Sequence, residues 1–123
     1  MAANRQKSYT CVIIDDESPA HKALSFHIAS YSQLTLVGRA FNAVEGLKLV
    51  ERLKPGVIFL NVTMPYMTGL EMLDHFSTHD HYIILTSALE TRTVRDKRVN
   101  DYLLVPVTTS RFLEAVQRLE MNI

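Results

Sequence analysis

Four short apolar runs, residues 11–14, 57–60, 82–85 and 102–105, carry no alternation of polar and apolar side chains. A strand with one face in water alternates. An unbroken run of Val, Ile, Leu and Phe is the signature of a strand buried on both faces, which requires helices on both sides of a parallel sheet. A fifth candidate, residues 35–41, contains Leu36, Val37 and Ala40 but is interrupted by Gly38 and Arg39, and it reads as an edge strand.

The intervening segments have helical spacing. Ala20, Ala23, Leu24, His27, Ile28 and Tyr31 form one stripe behind a Ser18-Pro19 start. Val44, Leu47, Val50 and Leu53 form a second stripe that stops at Lys54-Pro55-Gly56, and Phe112, Leu113, Val116 and Leu119 form another after a cap near Ser110. Residues 70–76 and 90–99 complete the alternation, the latter with only Val94 and Val99 as larger apolar residues. Five strands alternating with five helical segments predict right-handed βαβ units and an α/β fold: a single doubly wound (βα)5 domain with a five-stranded parallel sheet, flavodoxin-like in architecture. Residues 1–8 read as a polar leader and residues 9–121 as that one domain.

Charge narrows the function classes. Thirteen basic residues balance thirteen acidic ones, so no long-range field favours a nucleic acid or an anionic membrane, and direct contact with either is not expected. The single cysteine, Cys11, lies inside an apolar run, which suggests a buried thiol in a reducing compartment, and no apolar run approaches a membrane span. A cytoplasmic protein is expected.

In a doubly wound sheet the site forms beyond the carboxyl ends of the strands, where strand order reverses. Those ends carry Asp15-Asp16-Glu17 after the first strand, Asn61 at the third, Thr86-Ser87-Ala88 after the fourth and Val105-Pro106 after the fifth. Two carboxylates thus face an amide, a hydroxyl and a valine.

Those strand ends resemble a two-component response-regulator receiver domain from Tyr9 to about Leu119. The motifs that carry the likeness are Ile13-Ile14-Asp15-Asp16-Glu17, the loop Phe59-Leu60-Asn61-Val62-Thr63-Met64-Pro65-Tyr66-Met67-Thr68-Gly69-Leu70-Glu71, the hydroxyl motif Leu85-Thr86-Ser87-Ala88, and Asp101-Tyr102-Leu103-Leu104-Val105-Pro106. The wording of the third- and fifth-strand motifs is most similar to receivers that precede LytTR-type DNA-binding domains. The resemblance implies a module that takes a phosphoryl group from a histidine kinase onto an aspartate beside Mg²⁺ and then changes its partners. It places Asp15 and Asp16 as the acidic, metal-binding pair, Thr63 as the donor of a backbone carbonyl to that metal, and Ser87 and Tyr102 as switch positions.

Two positions depart from the pattern. Asn61 stands where the family has its phosphoacceptor aspartate, and Val105 stands where it has a lysine. A neutral carboxamide is a poor oxygen nucleophile, and a valine offers no charge to a transferring phosphoryl group. The two losses cancel in formal charge, so their joint occurrence is electrostatically coherent. The expected protein is an atypical receiver that is not an enzyme. It has no resident cofactor, with Mg²⁺ held weakly or lost because one charged ligand is missing. It works through protein contacts: a partner or a second copy at the surface of the fourth helix, fifth strand and fifth helix, with a histidine kinase or a fused output domain as candidates.

Other readings stay open. An ordinary phospho-accepting receiver carrying an Asp-to-Asn change at Asn61 would explain one departure and not Val105. A flavodoxin-like small-ligand module would use the same sheet edge, although Asp15-Asp16-Glu17 repels phosphate. His75, His79 and His81 with Asp74 and Asp80 form a minor zinc candidate by i,i+4 spacing, while His27 reads as a partly buried, hydrogen-bonded core residue.

Overall fold

In a computed structural model, which describes residues 7–88 and 95–122, the expected alternation of strands and helices is realised apart from the segment between β4 and β5. The strands are β1 (Tyr9–Ile14), β2 (Leu34–Ala40), β3 (Val57–Asn61), β4 (Tyr82–Ser87) and β5 (Asp101–Leu104), and the helices are α1 (Ser18–Ala29), α2 (Ala43–Leu53), α3 (Gly69–Met72) and α4 (Thr109–Met121). All neighbouring strands run parallel, in the order β2-β1-β3-β4-β5. The order reverses between β1 and β3, so the ends of those two strands flank the crevice.

Three of the four unbroken apolar runs have the predicted cause; the fourth, residues 102–105, needs correction, because β5 is an edge strand that leaves Leu104 49% exposed. Along β1, Cys11 and Ile13 join one core with α1 and α4 residues such as Leu24, Ile28, Phe112 and Val116. Val12 and Ile14 join the other, with Ala43, Val50 and Met72 from α2 and α3. Phe59 and Ile58 divide in the same way on β3. Burial of Cys11 pushes its thiol up to about 12, so it is an inert core group.

The helical stripes are rotated from their expected positions. On α1 the buried residues are His21, Leu24 and Ile28, with Ala23 exposed. On α2 they are Ala43, Gly46, Leu49 and Val50, with Val44 left 60% exposed. The caps differ too: Glu17 precedes α1 without a side-chain cap bond and with Pro19 in the first turn, and Thr108, not Ser110, caps α4 by accepting from the Arg111 N–H at 3.2 Å.

Two expected helices need correction. The 70–76 helix is the short α3 followed by a 3₁₀ turn at Leu73–His75 and another at Thr78–Asp80. His75 and His79 therefore share no helical face, and among the described residues no group of three or more His, Cys, Asp or Glu is placed to hold a metal. Of the expected 90–99 helix, residues 90–94 lie outside the described residues and 95–100 are not helical. Local hydrogen bonds compete successfully there: the Asp96 carboxylate accepts the Arg98 N–H at 2.9 Å, and Asn100 exchanges bonds with Ile83 through its backbone N–H at 2.8 Å and its side-chain oxygen at 2.7 Å.

Candidate functional site

The ends of β1 and β3 fix the site. Asp15 continues the β1–β2 ladder, its N–H donating to the Ala40 carbonyl at 3.1 Å, and it is only 4% exposed. Its Oδ1 accepts the Glu17 N–H at 2.9 Å. Its backbone carbonyl accepts from His21 Nε2 at 2.8 Å, which assigns the proton to that nitrogen. His21, buried and stacked on Phe41 at 4.0 Å, pins the acidic loop to α1. Sequence reasoning missed it, because the apolar stripe concealed a polar residue on its buried side. Desolvation pushes the Asp15 carboxyl up, the neighbouring Asp16 charge adds to the shift, and the Glu17 N–H partly offsets it.

Asn61 ends β3 and meets both carboxylates. Its Nδ2 donates to the Thr63 carbonyl at 2.8 Å, to Asp16 Oδ1 at 3.3 Å and to Asp15 Oδ1 at 3.4 Å. Its Oδ1 accepts from the Thr63 N–H at 3.4 Å. The orientation of the amide follows from that network: turning it over would set Nδ2 against the Thr63 N–H and Oδ1 against the carbonyl and the carboxylates.

The following loop holds Asn61 from the other side. A Cβ on Gly69 would collide with the Asn61 backbone carbonyl, so only glycine permits this approach. The Gly69 N–H donates to the Val62 carbonyl at 2.9 Å, and a reciprocal Thr68–Glu71 capping box starts α3 there. Tyr66, at φ 70°, projects fully into solvent from the same loop.

Ser87 is buried at the end of β4, and its carbonyl accepts the Val105 N–H at 2.8 Å. Val105 lies one residue beyond β5, half-buried, before a cis peptide to Pro106. Asp15, Asp16, Asn61, Thr63 and Val105 line one cavity of about 590 Å³, whose apolar wall includes Ala20, Leu24 and Val107. No lysine or arginine among the described residues lines it. Ser87 and Tyr102 are not part of that lining. The Tyr102 hydroxyl instead accepts the Asp96 N–H at 3.0 Å and donates to the Asp96 carbonyl at 3.4 Å, with the Arg95 guanidinium 5.7 Å from its ring centroid.

Two further histidines, His27 and His81, are structural groups, while His75 and His79 are exposed. His27 is half-buried, bonded to the Val107 carbonyl at 3.1 Å and stacked on Phe112. His81 donates to the Pro55 carbonyl at 2.6 Å.

Comparison with known proteins places this geometry. The response regulator receiver domain family matches residues 11–117. A response regulatory protein of Vibrio cholerae is 36% identical over 113 residues, covering 89% of this chain and 48% of that protein. The transcriptional regulatory protein BtsR of Escherichia coli is 34% identical over 114 residues, covering 90% and 48%. The chain thus spans about half the length of the curated relatives it matches. Among solved structures, the response regulatory domain of mrkE from Klebsiella pneumoniae superposes with a TM-score of 0.76 at 27% identity, covering 91% of this chain and 95% of that one. The response regulator domain of Thermotoga maritima CheB gives 0.79 at 22%, covering 95% and 98%.

Proposed function

The chain belongs to the response regulator receiver domains of two-component signalling, and from that premise we propose that it is a degenerate receiver, one that signals by protein contact without aspartyl phosphorylation. The observation that carries this reading is that Asn61 and Val105 line one cavity; we read them, from the likeness of the surrounding motifs, as the positions of the phosphoacceptor aspartate and the lysine. A carboxamide lacks the charged oxygen that attacks phosphorus, and methyl groups cannot steady the developing charge on a phosphoryl group. Asp15 and Asp16 remain as the acidic pair, Thr63 as the loop carbonyl, and Ser87 and Tyr102 as switch positions without a phosphoryl group to respond to.

The partner surface comprises β5, α4 and the segment that precedes β5. Its occupant is a protein: a histidine kinase, a second copy, or a fused output domain. An output domain of the LytTR DNA-binding type is the natural remainder of a longer regulator, since one relative that is twice the length is a transcriptional regulatory protein. A cytoplasmic setting fits a chain in which no described helix is long and apolar enough to cross a membrane.

Labelling with a small phosphodonor such as acetyl phosphate, in the presence of Mg²⁺ and read by intact mass, tests the reading. The wild-type chain and Val105→Lys remain unmodified, Asn61→Asp labels slowly, and Asn61→Asp with Val105→Lys labels about a hundredfold faster than Asn61→Asp, the scale of one lost electrostatic stabiliser. A phosphoryl adduct on the wild-type chain overturns it.

A further inference from the structure

A single side-chain donor, the Asn61 amide nitrogen, stands among the acidic pair and the loop carbonyl. A hard divalent ion at the end of this sheet would draw on carboxylate and carbonyl oxygens, and the available set is Asp15, Asp16 and the Thr63 carbonyl. Those three oxygens already converge on one group, the Asn61 Nδ2, at 3.4, 3.3 and 2.8 Å. The residues therefore do not fit a resident metal as they stand: their centre is occupied by an N–H donor that belongs to the chain.

We infer that the Asn61 carboxamide nitrogen takes the place of the divalent cation, so that the acidic pocket is liganded from within and excludes Mg²⁺. This rests on the reading of Asn61 as the altered phosphoacceptor position, and it goes beyond a missing charge. Loss of a charged ligand alone leaves the metal position open and merely weakens binding. An amide nitrogen in that position blocks it, because the N–H group fills the point on which the three oxygens converge and its positive polarity repels a cation there. Two features keep the nitrogen there. The Thr63 N–H donates to the opposite end of the amide, at 3.4 Å, so rotation of the amide would forfeit contacts at both ends. The close approach of Gly69 to the Asn61 carbonyl leaves the backbone no room to retreat.

The two explanations predict opposite effects of one truncation. Asn61→Ala adds no ligand and no charge, yet it vacates the centre of the oxygen set and leaves Asp15, which keeps the Glu17 N–H, beside Asp16 without the amide that bridged them. Calorimetric titration with Mg²⁺, without any phosphodonor, then gives the affinity order Asn61→Asp above Asn61→Ala above wild type. Asn61→Ala binds about tenfold more tightly than wild type, the scale set by one hydrogen bond to a charged group. Equal or weaker binding by Asn61→Ala overturns the inference, because the amide would then be a bystander or a ligand through its oxygen. A second readout needs no variant: the Asn61 side-chain NH2 resonances of the wild-type chain stay in place as Mg²⁺ is added, and their displacement along a saturating curve also overturns it. Neither result depends on phosphorylation, so failure here is distinct from failure of the functional reading, which a phosphoryl adduct on the wild-type chain would signal.

Discussion

Two buried aspartates at different strands of the sheet are treated in opposite ways. Asp101, at the start of β5 and 3% exposed, receives Arg111 Nη2 at 2.9 Å, Arg118 Nη1 at 3.0 Å and the Tyr102 N–H at 2.8 Å, all on Oδ1. Asp15, beyond the end of β1 and 4% exposed, makes no ion pair among the described residues and is met by neutral donors, the Glu17 N–H and the Asn61 amide. The first carboxylate belongs to the architecture: it ties β5 to α4 with partners supplied by the chain. The second is held desolvated beside Asp16, with no ion-pair partner among the described residues. In our proposal the Asn61 carboxamide supplies the donor in the place that a cation would otherwise take.

The same substitution at the two sites is the strongest way to break that contrast. Asp101→Asn leaves Arg111 and Arg118 short of an anion and lowers unfolding stability by about 2–3 kcal/mol; urea denaturation that shows no loss would mean the pair is ornamental. Asp15→Asn keeps an acceptor for the Glu17 N–H while relieving a desolvated charge, and raises stability by about 1 kcal/mol. A destabilised Asp15→Asn variant would remove the basis for separating the two carboxylates.

The pH dependence sharpens the contrast further. Because burial raises the Asp15 pKa above the ordinary aspartate value of 3.8, the folded state holds the proton more tightly than the unfolded chain does. Stability contributed by Asp15 is therefore present at low pH and falls as pH rises from about 3.8 through the raised value. The advantage of Asp15→Asn over wild type should be near zero at the acid end of that window, grow across it and then level off, as read by thermal unfolding at a series of pH values. The smallest effect belongs to Tyr102→Phe, which removes the hydroxyl from the Asp96 backbone at a cost of about 0.5 kcal/mol. It should alter amide exchange at residues 96–99 and leave the acidic pocket unchanged.

How far the sequence could be read depended on the range of the interactions involved. The parallel sheet was legible because burial on both faces leaves a mark on every residue of a strand, as in residues 57–60. The convergence of Asp15, Asp16, Asn61, Thr63 and Val105 on one cavity was legible because topology brings the carboxyl ends of the strands together, whereas Ser87 and Tyr102 lie outside that lining. The segment 95–100 was not legible as a turn: charged residues at helical spacing look the same whether or not Asp96 folds its carboxylate back onto the Arg98 N–H. His21 was hidden for a related reason, since its partner is a backbone carbonyl that no side-chain pattern reports. The direction of the Asn61 amide depends on Asp15 and Thr63, 46 and 2 residues away along the chain, and only the folded molecule supplies it.

The most direct test of the central claim is the backbone amide spectrum of the wild-type chain recorded before and after addition of Mg²⁺ with beryllofluoride, a phosphoryl mimic. A pocket closed by its own amide gives superimposable spectra, with Asn61, Thr63 and Ser87 unmoved. Saturable shifts at those residues, spreading to Tyr102, would contradict the account.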